Sequence, residues 1–140
     1  MSTNPLRIEQ MTIFDVEPEE VVTIAGELGV PMISLWVSDG MEGARPVTAA
    51  NKGRVLERLR DSPVVVDTVE AFMLSRDQRK AEAGIALAAE LGARAIVAIN
   101  ITTADDAAAA GQLAELCELA NGYGLLVCLE PISMGATRTP

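Results

Sequence analysis

Apolar positions along the chain alternate between two periods, the two-residue step of a strand and the three-to-four-residue step of a helix. Leu6 to Ile13 is a strand candidate, and Asp15-Val-Glu-Pro18 then opens a helix with an early proline and Glu19 and Glu20 near its positive end. Val21, Val22, Ile24, Ala25 and Leu28 give that helix an apolar stripe, and Gly29 closes it. Met32 to Val37 is the second strand, followed by a polar connection from Ser38 to Val47, the longest loop in the chain. Thr48 to Arg60 is the second helix, with Val55, Leu56 and Leu59 as its apolar side, and the valine-rich Pro63 to Val69 is the third strand.

The second half repeats this order. Ser75-Arg-Asp-Gln78 has the spacing of a capping box, and the helix it opens runs to Leu91 with Ala81, Gly84, Ile85 and Ala88 on one face. Arg94 to Ile101 is the fourth strand. Thr103-Ala-Asp-Asp106 reads as a second capping box, and Ala109, Leu113, Leu116, Cys117 and Ala120 line the fourth helix. Gly122 and Gly124 lead into the fifth strand, Leu125-Leu-Val-Cys-Leu-Glu-Pro131, with Leu126, Cys128 and Glu130 predicted on one face and Leu125, Val127 and Leu129 on the other. The repetition extends to letters: Ala25-Gly-Glu-Leu-Gly29-Val-Pro-Met-Ile33 returns as Ala88-Ala-Glu-Leu-Gly92-Ala-Arg-Ala-Ile96.

A unit of about 30 residues pairing one strand with one amphipathic helix is the building block of parallel α/β folds. Residues 1–140 are expected to form a single domain, as a doubly wound open sheet or part of a (β/α)8 barrel. Met11 to Pro18 holds no glycine, so a dinucleotide-binding loop is absent from its usual place. A receiver-like sheet suits the length, with Asp67 in the place of an acceptor, but the first strand ends in Thr12-Ile13-Phe14 without an acidic pair. Strand order separates the two: 1-2-3-4-5 is a barrel and 2-1-3-4-5 a receiver-like sheet.

The 140 residues, 49% of them hydrophobic, suffice for one core. A net charge of −9 with no run of basic residues argues against a nucleic-acid surface. Cys117 and Cys128 lie in apolar segments and read as packed, reduced thiols, which fits a cytoplasmic protein, and neither a signal segment nor a membrane span is visible.

The Glu-Leu-Gly helix ends, Ile33-Ser-Leu-Trp36 on strand two, Glu90 to Val97 leading into strand four, and Leu125 to Pro131 on strand five resemble the xylose isomerase-like TIM barrels, the sugar phosphate isomerase/epimerase superfamily. The resemblance covers nearly the whole chain and implies an α/β fold of parallel (β/α) units, the N-terminal five of a TIM barrel. It also implies metal-dependent proton transfer next to a carbonyl of a sugar or keto acid. Its strand-five signature, Leu129-Glu130-Pro131, places Glu130 at the position of a ligand to a divalent metal (Mn, Mg, Co or Zn), a residue that otherwise simply begins a solvated loop. The family often carries Glu where this chain has Ser34 and His where it has Asn100, and the chain contains no histidine. One carboxylate is too few for a six-oxygen sphere, so this chain as a monomer is not expected to run the metal-dependent reaction.

Other polar groups at predicted strand ends have two readings each, because barrel chemistry sits at that face. Trp36 is a sugar-stacking wall or a core aromatic; Asn100 binds a substrate hydroxyl or caps the turn toward Thr103. Asp67 and Glu70 read as satisfied loop carboxylates. Asp39, Met41, Glu42 and Arg45 belong to a lid or a solvated loop. A sugar-like small molecule is the expected partner of the enzyme reading. A non-catalytic half-barrel that self-associates to cover its open sheet edge is the alternative, and a homo-oligomer is expected. The tail Ser133 to Pro140 reads as a loop leading toward a further helix.

Overall fold

The computed structural model describes residues 6–38, 42–133 and 135–136. Five parallel strands, β1 (Arg7–Glu9), β2 (Met32–Trp36), β3 (Val65–Met73), β4 (Ala95–Ile99) and β5 (Leu126–Glu130), form one sheet in the order β1-β2-β3-β4-β5. Sequential order is that of a barrel wall, and it rules out the receiver-like alternative. Helices α1 (Pro18–Glu27), α2 (Lys52–Arg60), α3 (Glu82–Glu90) and α4 (Asp106–Gly122) occupy the connections.

Ile33 and Leu35 of β2, Val66 and Val69 of β3, and Ile96 and Ala98 of β4 join Val21, Val22 and Ala25 of α1, Val55 of α2, Ile85 and Ala88 of α3, and Leu116 and Ala120 of α4 in one buried core. Alternation then sends Ser34 and Trp36 to the opposite, concave side of the sheet. The repeated Glu-Leu-Gly segments have one structural meaning. Gly29 and Gly92 adopt φ of 68° and 78°, and the residue after each returns its N–H to a carbonyl five positions earlier, Val30 to Ala25 and Ala93 to Ala88. Gly124 (φ 73°) ends α4 the same way, with Leu125 N–H bonded to Ala120 O. This closure needs a left-handed residue, which favours glycine, and it delivers the chain directly into the next strand.

Several boundaries differ from expectation. The first strand stops at Glu9 and residues 10–13 form a 3₁₀ turn, because Gln10 turns inward to donate to Arg45 O (2.8 Å) and accept from Trp36 N–H (2.7 Å). Helix α2 starts at Lys52, since the Asn51 side chain instead closes a turn on Thr48 N–H and Pro46 O. Neither predicted capping box forms: Ser75 Oγ donates to Asp77 O, and the residue capping α4 is Asp105, which accepts from Ala107 N–H at 3.1 Å. The two cysteines are exposed rather than packed, Cys117 on α4 and Cys128 on β5. Their hydrophobic neighbours in sequence do not enclose them, since β5 is an edge strand, exposed at Leu126, Cys128, Leu129 and Glu130. Among the described residues no helix is long and apolar enough to cross a membrane.

Candidate functional site

The third strand runs to Met73, so Asp67 and Glu70 lie within it and not in a following loop. Two irregularities set them apart. Asp67 is the additional residue where the β2–β3 register shifts, Ile33 facing Val66 and Ser34 facing Thr68. Its carboxylate, 8% exposed, accepts from Arg7 Nη1 at 2.8 Å and from Arg94 Nη2 at 2.5 Å. Asp67 is thus a structural carboxylate that ties the start of β1 to the start of β4. The β3–β4 register shifts again between Val69 and Phe72, where the Glu70–Ala71 peptide is cis. Phe72 packs in the helix-side core, whereas Glu70, Ala71 and Met73 line the concave side.

The C-terminal strand ends surround a cavity of about 780 Å³, within the range of small-molecule sites. Its apolar wall includes Met11, Trp36, Val97, Ile99 and Ile132, and its acidic groups are Glu9 from β1, Glu70 from β3 and Glu130 from β5. Glu9 faces Ser34 in the β1–β2 ladder, and Trp36 faces Glu70 in the β2–β3 ladder. Ser34 Oγ donates to Glu70 Oε1 at 2.5 Å, so a hydroxyl of β2 holds the acid of the neighbouring strand. Arg7 Nε pairs with Glu9 Oε1 at 2.6 Å.

Glu70 is half-buried, and burial chiefly, then a hydrogen bond with Glu9, pushes its carboxyl up to about 8; the charges of Glu9 and Glu130 act in the same direction, against the Ser34 hydroxyl. Its carboxyl therefore holds a proton more tightly than an ordinary glutamate. A carboxyl of raised proton affinity facing a greasy cavity with a second carboxyl across it is a combination suited to acid–base work.

Trp36 lines the cavity, but it is 8% exposed and its indole N–H donates to Ser38 O at 2.5 Å. The Asn100 side chain is buried, donating to Thr103 O (2.8 Å) and accepting from Thr103 N–H (3.0 Å), and Asn100 is not among the cavity residues. In the long loop, Arg45 pairs with Glu17 at 3.5 Å, while Asp39 and Met41 lie outside the described residues. Sequence reasoning missed Glu9 altogether. Its only local signal is its place two residues after Arg7 in a short strand.

The donors present do not fit a resident divalent cation. Glu9 is paired with Arg7, Glu70 with the Ser34 hydroxyl, and among the described residues no three His, Cys, Asp or Glu side chains are grouped to hold a metal. Glu130 faces the cavity as the remaining carboxyl.

No protein-family model matches the sequence, and no curated protein is similar to it. Solved structures are similar in fold. The IolI protein with a binding zinc atom superposes with a TM-score of 0.72 at 14% identity, over 95% of this chain and 54% of that one. A xylose isomerase domain containing protein from Salmonella typhimurium LT2 gives 0.70 at 16% identity, over 94% and 52%. A xylose isomerase-like TIM barrel protein from Mycobacterium smegmatis, in complex with magnesium, gives 0.62 at 14% identity, over 96% and 57%. The chain spans about half the length of these structures. Its sequential parallel sheet, its outer helices and these superpositions together make its fold an α/β partial barrel of the xylose isomerase-like kind.

Proposed function

We propose that this chain forms one side of a sugar isomerase or epimerase type of active site, which moves a proton next to a carbonyl in a sugar-like substrate. The observation that carries this reading is the pairing of Glu70, held as an acid, with Glu130 around one cavity at the C-terminal strand ends. In this reading Glu130 takes the proton from the carbon beside the carbonyl, and Glu70 gives its proton to the carbonyl oxygen as that oxygen becomes negative. An enediol results, with charge and proton count conserved. Reversal at the neighbouring carbon isomerises the substrate, and reversal at the same carbon from the other face epimerises it. A divalent metal is the finer implication of the family resemblance; it would need donors beyond the described residues, and no step above passes through one.

Hydrogen–deuterium exchange at the carbon beside the carbonyl of dihydroxyacetone, followed by proton NMR in D₂O, tests the reading. The chain is expected to accelerate exchange over buffer, and Glu70→Gln and Glu130→Gln each to slow it at least about tenfold. Exchange no faster than in buffer, with or without added Mn²⁺, overturns it.

A second reading rests on a different observation. Leu126 and Leu129 are 70% and 37% exposed on β5, which has no neighbour beyond β4 among the described residues and so presents the kind of parallel edge that proteins cover. We propose that the 140-residue chain self-associates through this edge. Sedimentation should give at least a dimer, and Leu126→Lys should shift it toward monomer; a monomeric parent chain overturns this reading.

A further inference from the structure

We propose that Glu9 and Glu70 share one proton across the β1–β3 side of the cavity, with Glu9 acting as a positioning residue that keeps Glu70 in its acid form. The inference deepens the proposed function by naming what supplies its acid, and it rests on that reading only for the use made of the proton.

Three contacts carry the pair. Glu9 Oε2 is buried, and among the described residues no N–H or serine, threonine or tyrosine hydroxyl reaches it. A buried carboxylate oxygen without a donor is costly; Glu9 faces Ser34 in the β1–β2 ladder and Ser34 holds Glu70, which brings the two carboxyls together beside the serine. The other Glu9 oxygen is fixed by Arg7 Nε at 2.6 Å, and Glu70 Oε1 is fixed by Ser34 Oγ at 2.5 Å. With one oxygen of each residue tied down, a proton held by Glu70 toward Glu9 satisfies the orphaned oxygen. Two ionised carboxylates in the same place would repel in a poorly hydrated wall.

Among the described residues, the charged and titratable groups around the pair are few. Arg7 on β1 is shared with Asp67, and Ser34 on β2 is neutral. Glu130 and Cys128 line the cavity from β5, while β4 contributes the apolar Val97 and Ile99. Opposite effects are therefore expected from two neighbours of one carboxyl. Removing the Glu9 charge lowers the proton affinity of Glu70, whereas removing the Ser34 hydroxyl, which stabilises the ionised form, raises it.

The test is the pH titration of glutamate side-chain carboxyls by ¹³C NMR in the 140-residue chain. Glu70→Gln identifies the Glu70 signal by its loss. Glu9→Gln, which keeps an acceptor at that place, should lower its proton affinity at least about tenfold, and Ser34→Ala should raise it. An unchanged Glu70 midpoint in Glu9→Gln, or a downward shift in Ser34→Ala, overturns the proposal, and the serine variant decides if the glutamine variant does not fold. The titration requires no turnover, so failure to exchange deuterium overturns the catalytic reading and leaves these shifts to stand or fall alone.

Discussion

Raising the pH from about 5 to about 9 should cost the folded chain about 2–3 kcal/mol, and Glu70→Gln should remove most of that loss. An unfolded glutamate has its ordinary value of 4.5, whereas the folded Glu70 is pushed up to about 8 by burial and by the Glu9 hydrogen bond. The folded state thus binds the proton more tightly than the unfolded one. The resulting stabilisation is fully present below about 4.5, declines as pH rises, and is gone once pH has passed through about 8. Complete linkage over that interval would approach about 5 kcal/mol, but Glu70 is only half-buried, and solvent screening reduces the figure. Urea unfolding across the pH range measures it. Glutamine is neutral throughout, so the variant should show a flatter profile and little difference from the parent chain below about pH 5. Parallel profiles would mean that Glu70 ionises normally in the folded chain.

Asp67→Ala should destabilise the fold by about 3 kcal/mol, at the lower end of the range for breaking a buried ion pair by removing one partner. The carboxylate is 8% exposed and holds two arginines, one of which, Arg7, also positions Glu9. Alanine leaves both guanidinium groups facing a small void. The loss is tempered because Arg7 and Arg94 retain 36% and 77% exposure, so solvent can take over part of their charge. Asp67→Asn keeps the volume and one acceptor and should cost about half as much. Denaturant midpoints measure both, and a loss below about 1 kcal/mol in Asp67→Ala would mark the cluster as an ordinary surface ion pair.

These two carboxylates show where local reading of the chain stops. Asp67 and Glu70 read alike in sequence, as loop carboxylates at the end of a valine-rich strand. The strand in fact continues to Met73, and two register shifts within it separate the pair. One acid goes to an arginine cluster and the other to the cavity. Such shifts depend on the neighbouring strands, β2 and β4, and leave no trace in the alternation of β3 itself. Glu130 differs: the apolar run before it and the proline behind it announce a strand end, and it lies at the cavity there, beside both Cys128 and Leu129. Asn100 and Trp36 lie at predicted strand ends too, with their polar atoms committed to backbone partners at Thr103 and Ser38.

Sequence by itself determined the alternation of strands and helices, the buried face of each helix apart from Leu28 and Cys117, which are exposed, and the glycine-closed turns at Gly29, Gly92 and Gly124. All of these depend on local periodicity and on conformations that glycine reaches at low cost. Only the tertiary structure chose sequential strand order over the receiver-like one, left Cys117 and Cys128 exposed, and brought Glu70 to the cavity against Ser34, where burial chiefly raises its proton affinity. Proton affinity is set by burial and by charges brought close from distant parts of the chain, and those distances exist only once the strands have packed side by side.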